Sequence, residues 1–104
     1  MKLQYTPAAL ADLEKLQHYI SETLQNPIAA KHVVRQILDA CAQLTSFPHQ
    51  MGLSLQKKTG YATDLRMQIC GHYLAIYRID RTDILIARII SARQDYMRIL
   101  LNSP

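Results

Sequence analysis

Arginine and tyrosine side chains in the second half of the chain are the groups best suited to chemistry. From position 64 onward, apolar and polar residues alternate, and a period of two is typical of a half-buried strand. One exposed face of the predicted sheet would collect the polar set Arg66, Gln68, Tyr73, Tyr77 and Arg88. Guanidinium groups beside tyrosine rings can bind phosphates, stacked bases or an acidic peptide, although ordinary cross-strand pairing would give the same pattern.

Two short turns fix which strand residues should face each other. With two-residue turns at Gly71-His72 and Arg81-Thr82, antiparallel pairing predicts three pairs: Arg66 with Tyr77, Gln68 with Ala75, and Ala75 with Arg88. The opposite face would then be apolar and should pack on the helices; its members are Leu65, Met67, Ile69, Leu74, Ile76, Leu85, Ala87 and Ile89. A slip of one residue would exchange the two faces.

Positive charge is concentrated in the same half of the chain. The 104 residues include 12 Lys and Arg and 8 Asp and Glu, for a net charge of +4. Residues 1–56 are neutral overall, so residues 57–104 carry the whole excess, including Lys57 and Lys58 in a loop and Arg93 after the last strand. Such a field attracts nucleic acid or an acidic protein segment, while a merely soluble basic surface is the alternative.

Other kinds of site have little support. The four histidines lack metal-ligand spacing, so we predict no metal and no cofactor. Cys41 and Cys70 are too few for a disulfide framework and should be free thiols, with Cys41 a small core residue. The sequence has no apolar run long enough to cross a bilayer, and Pro7 interrupts the N-terminus before a signal peptide could form. We therefore expect a cytoplasmic protein without a membrane partner.

The strands and helices predicted along the chain indicate an α+β fold in a single domain, residues 1–104. A short strand at residues 2–5 precedes a helix that Thr6 caps and Pro7 begins, running to about residue 23. Asn26 and Pro27 repeat this device, and the second helix ends before Pro48, which makes an antiparallel helical hairpin. A loop at residues 48–61, a three-stranded antiparallel meander and a short helix at residues 96–101 follow. We expect the hairpin to pack on the meander.

In this order of predicted elements, specific residues resemble the RelE/ParE toxin family over nearly the whole chain. The matching segments are Ala8, Asp12 and Leu13; Tyr19-Ile20; Leu44 with Phe47-Pro48; Leu65-Arg66; residues 71–79 (GHYLAIYRI); and residues 88–96 (RIISARQDY). The resemblance implies a bacterial growth-inhibiting toxin of a type II toxin–antitoxin system, of the kind associated with plasmid stabilization. Its implied partner is a cognate acidic antitoxin, in a hetero-oligomer, with a homodimer as a further possibility.

The family's two branches imply different chemistry. RelE-like members cleave mRNA on the ribosome through basic residues on the open face of the sheet, whereas ParE-like members lack nuclease activity and poison DNA gyrase. The positions matching the catalytic lysines hold Leu65 and Met67, Leu74 replaces an arginine, and Ser91 stands where many relatives carry histidine. The resemblance therefore favours the ParE-like branch, with an mRNA endonuclease and an inactive antitoxin-binding homologue as alternatives. If the chain is a nuclease, its candidate catalytic residues are Arg66, Arg93 and Tyr96.

Overall fold

The computed structural model describes residues 2–46, 52–54, 56–57, 60 and 63–93. Five strands form one sheet in the order β1-β5-β4-β3-β2. Their bounds are β1 Lys2–Tyr5, β2 Leu53–Ser54, β3 Arg66–Cys70, β4 Tyr73–Asp80 and β5 Asp83–Ser91. Neighbouring strands are antiparallel except β1, which pairs parallel with β5. The predicted α+β class and meander are confirmed, and β2 is an addition within the predicted loop.

Two helices, α1 Pro7–His18 and α2 Pro27–Gln43, form the predicted hairpin. Both begin by the same local device, a side-chain oxygen before a proline at the first helical position. The Thr6 hydroxyl accepts a hydrogen bond from the Ala9 amide at 3.0 Å, and the Asn26 side chain accepts one from Ala29 at 3.1 Å. A π-helical turn, Tyr19–Thr23, extends α1 toward α2. The predicted C-terminal helix lies outside the described residues.

One face of the sheet packs against both helices, and we call it the helix face. Its strand residues are Cys70, Ala75, Tyr77, Ile84, Ile86 and Ile89, and they meet Ala9 and Leu13 of α1, Ile37 and Cys41 of α2, and Leu44, which caps α2. Tyr77, Ile84 and Ile86 have no exposed surface. Removing this much apolar surface from water is the main stabilising contribution to the fold.

The opposite face of the sheet, here called the distal face, carries a second apolar cluster. Its members are Met67, Leu74, Ile76 and Ile90, with Leu65 packed against them. Met67 pairs with Ile76 directly beside the Arg66–Tyr77 pair, so strand alternation places the two pairs on opposite faces. The predicted assignment of faces is therefore wrong: the helices cover the face that contains Tyr77. Of the residues predicted to meet the helices, Ile89 does so.

A β-bulge in β5 explains one of the errors. The pairs Arg66–Tyr77 and Gln68–Ala75 are confirmed, but Ala75 pairs with Ile89 and not with Arg88. Between Tyr77, which pairs with Ile86, and Ile76, which pairs with Arg88, the register shifts by one residue. The shift sets Arg88 opposite a distal-face residue, whereas Arg66 is opposite a helix-face residue. The two arginines therefore do not share the exposed surface that the sequence predicted.

Candidate functional site

A cleft of about 450 Å³ opens between α1 and the second half of β5. It is lined by Asp12, Lys15, Leu16, Tyr19, Tyr73, Arg88, Ile89, Ile90 and Ser91, and we call it the α1–β5 cleft. Two of the predicted partner-binding residues, Tyr73 and Arg88, meet in this cleft. Its wall is half strand and half helix, so the geometry of the cleft depends on how α1 is held against the edge of β5.

Beyond the point where β1 ends, groups of α1 and its N-cap residue form hydrogen bonds with the edge of β5. The β1–β5 pairing stops at Ile86, whose carbonyl accepts the Thr6 amide at 3.0 Å. The Thr6 hydroxyl donates to the Ala87 carbonyl at 2.7 Å, and the Ile89 amide donates to Oδ2 of Asp12 at 2.9 Å. An open strand edge is a template for further pairing, and these contacts satisfy its backbone groups. They also fix α1 beside the cleft.

Asp12 and Arg88 form a bidentate ion pair across this junction. Nε and Nη2 of Arg88 donate to the two carboxylate oxygens at 2.7 and 3.0 Å, and the side chains are 23% and 12% exposed. The hydrogen bond from Arg88 to Asp12 raises the pKa of the guanidinium, against the opposing effect of burial. Arg88 is thus held by the protein's own carboxylate. The exposed cation that the cleft offers to a partner is Lys15.

Two tyrosines supply the aromatic part of the cleft. The π-helical turn begins at Tyr19, which is 51% exposed, and its carbonyl accepts the Leu24 amide at 3.1 Å. Partial burial, and secondarily the proximity of Tyr19, raises the pKa of Tyr73. Tyr73 therefore stays neutral at physiological pH, able to donate or accept a hydrogen bond through its hydroxyl. With Leu16 and Ile89 nearby, the cleft suits an apolar or aromatic anchor beside an acidic group.

Arg66 and Tyr77 act inside the fold. Nη2 of Arg66 donates to the Gly52 carbonyl at 2.6 Å, and its Nε donates to the Tyr77 hydroxyl at 3.3 Å. Gly52 is buried, and a Cβ there would overlap the hydroxyl and ring of Tyr77. Arg66 thus links Gly52, which directly precedes β2, to β4 of the sheet. The prediction that Tyr77 lies on an exposed binding face is wrong, because its side chain has no exposed surface.

The remaining predicted site residues lie apart from the cleft centre. Lys57 is exposed, and its amide donates to the Ser54 hydroxyl at 3.4 Å. Arg93 is exposed just after β5, with its amide 3.2 Å from the Ser91 hydroxyl. Lys58 and Tyr96 lie outside the described residues. Within the described ranges no group of three or more His, Cys, Asp or Glu side chains could hold a metal ion.

Sequence reasoning missed three residues of the cleft: Asp12, Lys15 and Tyr19. Lys15 and Tyr19 are four positions apart, which is the spacing of neighbours on one helix face. Asp12 carries part of the family resemblance, but nothing in the sequence indicated its contacts. Its contact with the amide of Ile89 depends on where β1 stops pairing, and no local pattern encodes that. None of the described helices combines the length and apolar content that crossing a bilayer requires.

Comparison with known proteins places this fold in a family. The family model described as the ParE toxin of the type II toxin–antitoxin system parDE matches residues 3–96. A solved structure described as the chromosomal ParDE TA system from P. aeruginosa is 26% identical, with a TM-score of 0.71 over 88% of this chain and 95% of that chain. The RelBE2 toxin–antitoxin complex from Mycobacterium tuberculosis shares the fold at 22% identity, with a TM-score of 0.64 over 86% and 95% of the two chains.

The comparison with curated proteins gave no match. The family model nonetheless spans nearly the whole chain, and the fold agrees with both toxin–antitoxin structures. This chain belongs to the ParE toxin family of type II toxin–antitoxin systems.

Proposed function

We propose that this toxin inhibits bacterial growth by binding DNA gyrase in the cytoplasm, without cutting RNA, and that a cognate antitoxin neutralises it. One observation supports gyrase over RNA as the target. Met67 and Leu74, at positions where the nuclease branch carries a catalytic lysine and an arginine, belong to the distal-face cluster and are 1% and 3% exposed. Cleavage of RNA needs groups that move a proton and neutralise phosphate charge. Buried thioether and alkyl groups do neither.

The alternative, an mRNA endonuclease, has one observation in its favour. Arg93 is exposed at a position where the nuclease branch carries a basic residue. A single arginine can bind a phosphate, but a guanidinium stays protonated and cannot also serve as the general base. Catalytic groups that act as a unit lose most of their effect when several are absent. Arg93 and Lys57 therefore fit better as exposed cations for contact with a protein target.

A supercoiling assay with purified gyrase and relaxed plasmid tests the target. We expect the toxin to inhibit supercoiling in a dose-dependent way, and the Arg93→Ala variant to need a higher dose. The matched control is Arg35→Ala, which removes another exposed arginine, on α2, whose ion pair with Asp39 lies on the surface. Full supercoiling activity at saturating wild-type toxin would contradict the gyrase proposal. Equal doses for the two variants would contradict only the role of Arg93.

For the antitoxin we propose the α1–β5 cleft as a contact site, with an acidic residue of the antitoxin beside Lys15 and an apolar anchor between Tyr19 and Tyr73. Charge complementarity supports this, since Lys15 is an exposed cation and the Arg88 charge already pairs with Asp12. Co-expression with the product of the adjacent gene and co-purification at two salt concentrations test it. We expect Lys15→Glu to weaken the complex, and Lys31→Glu on the exposed face of α2 to leave it intact. Equal effects of the two variants would contradict the site.

A growth experiment separates these proposals from the third possibility, an inactive homologue. Expression of the toxin alone should arrest growth, and co-expression of the antitoxin should restore it. If the toxin binds the antitoxin but causes no growth defect, the inactive homologue is correct and the gyrase proposal fails. Growth arrest that the antitoxin does not relieve would contradict the antitoxin pairing and leave the toxin assignment standing.

A further inference from the structure

The distal-face cluster is buried although α1 and α2 pack on the other face of the sheet. Its members Met67, Leu74, Ile76 and Ile90 are 1%, 3%, 0% and 4% exposed. Within the described ranges the cluster contains only these strand residues and the adjoining Leu65. A sheet face that nothing covers leaves its side chains in contact with water. These exposures are those of the isolated chain, so another part of the same chain covers the cluster.

The covered area is small and lies beside the end of β5. Ile90 pairs with Leu74, and Ile76, two residues further along β4, pairs with Met67. Two residues along a strand are about 7 Å, and three neighbouring strands are about 10 Å across. Ile69, on the same face, is 54% exposed, so the cover ends near this residue. An area of this size needs one short element to cover it.

We propose that the C-terminal segment, residues 94–104, lies across the distal-face cluster and shields it from water. The segment begins four residues after Ile90, so β5 brings the chain to the edge of the cluster. It has eleven residues and is the longest stretch outside the described ranges. A chain that turns back after β5 therefore reaches the cluster without a long connection.

The residue types of the segment suit an apolar surface. Met97, Leu100 and Leu101 are three and four positions apart, which is the spacing of one apolar stripe on a helix. The helix that the sequence predicts at residues 96–101 would be about 9 Å long, which matches the width of the cluster. Arg98 falls outside the stripe and can keep its charge in water.

The internal stretches outside the described ranges fit this role less well. Residues 47–51 run from the end of α2 to Gly52. Leu44, which caps α2, belongs to the helix-face cluster, and Gly52 lies against the ring and hydroxyl of Tyr77 on the same face. Both ends of this stretch are therefore on the side of the helices. The remaining gaps between described residues after Gly52 are one or two residues long.

The C-terminal segment thus gives the distal face an occupant from the same chain. Met67 and Leu74, which the resemblance matches to basic residues of the nuclease branch, would face this segment and not a nucleic acid. The α1–β5 cleft lies on the other side of the sheet from this contact and stays open to a partner. The inference does not depend on gyrase as the target, because it concerns a contact within the toxin.

NMR of the full-length toxin with ¹³C-labelled methyl groups tests the contact directly. We expect nuclear Overhauser effects between the ε-methyl group of Met67 and methyl groups of residues 97–101. Mixing of differently labelled chains should show that these effects arise within one chain. Effects from Met67 only to residues 47–62, or only between differently labelled chains, would overturn the proposal. So would the absence of any effect between Met67 and the segment.

Thermal unfolding of two variants supplies a second readout. Leu100→Asp places a carboxylate on the proposed contact stripe, and we expect it to lower the unfolding temperature by ~5 °C or more. Arg98→Asp is the matched control, because it introduces the same group outside the stripe and should lower the temperature by ~2 °C or less. Equal shifts in the two variants, or no shift in either, would contradict the proposed packing of the segment.

Discussion

The two faces of the central sheet differ in what they bury. The helix face encloses a tyrosine together with aliphatic residues, and its margin holds a polar contact in which Arg66 binds the Tyr77 hydroxyl and the Gly52 carbonyl. The distal-face cluster is made entirely of methionine, leucine and isoleucine. Arg66 and Tyr77, two polar residues that looked functional in the sequence, therefore hold the fold together. Met67 and Leu74, which the resemblance matches to basic residues of the nuclease branch, lie in this apolar cluster.

Introducing a charge into the distal face should have the largest effect on stability. Met67→Lys places an ammonium among Leu74, Ile76 and Ile90, and we expect it to lower the free energy of unfolding by about 3–5 kcal/mol. Ile69→Lys is the matched control, because Ile69 is on the same strand and face but is 54% exposed. That change should cost about 0.5 kcal/mol or less. Urea denaturation of both variants measures the difference, and equal losses would contradict a buried distal face.

Loss of the Asp12 carboxylate should have the second-largest effect on stability. Asp12→Ala leaves both the Arg88 guanidinium and the Ile89 amide without this acceptor, and we expect a loss of about 2–3 kcal/mol. Asp12→Asn retains an oxygen for the Ile89 amide and should cost less than Asp12→Ala. Urea denaturation ranks the two variants. Equal stability of Asp12→Ala and wild type would show that the junction between α1 and β5 does not depend on this residue.

Replacement of two glycines by alanine distinguishes the stability cost of a steric overlap from the cost of backbone strain. In Gly52→Ala the new methyl group meets the buried ring of Tyr77, and we expect a loss of about 1–3 kcal/mol. Gly60→Ala meets no atom within 4 Å, but its φ of +82° strains alanine, and we expect about 1 kcal/mol. Thermal unfolding compares them. Gly52→Ala should destabilise the protein more than Gly60→Ala, and the reverse order would place Tyr77 away from Gly52.

Alkaline pH should give the smallest effect, and two of the groups involved, Cys70 and Tyr5, belong to the helix-face core. Hydrogen bonding to Cys41 and burial raise the pKa of Cys70, while burial is the main cause that raises the pKa of Tyr5. The folded state therefore holds these protons more tightly than the unfolded state. Their contribution is complete at neutral pH and declines above about pH 9, where the unfolded chain starts to ionise.

Urea denaturation between neutral and alkaline pH measures this slope. Cys70→Ala should flatten the decline, because it removes a thiol whose pKa the fold raises. Ser46→Ala is a suitable control, since it alters an exposed side chain after α2 that has no ionisable group. A decline of the same steepness in Cys70→Ala and wild type would contradict the assignment to the core thiol.

The sequence predicted both helices and the strands β1, β3, β4 and β5, but it predicted neither β2 nor the face that the helices cover. Thr6, Asn26 and the prolines that follow them mark both helix starts because capping is a local property. The Gly71 turn predicted the β3–β4 register correctly. The choice of face was undetermined, since both sides of β4 are largely apolar and alternation does not say which side the helices cover. The β-bulge opposite Ile76 has no local signal, and it moved Arg88 out of the predicted set.

Mapping of transcript ends after induction of the toxin shows whether it cuts RNA. Because the distal face is apolar, we expect the toxin to be unable to cut RNA. The 5′ ends of cellular transcripts should then be the same in cells that express the toxin and in cells that carry an empty vector, while growth stops. New toxin-dependent ends within coding regions would contradict it, above all if Arg93→Ala abolished them and Arg35→Ala did not.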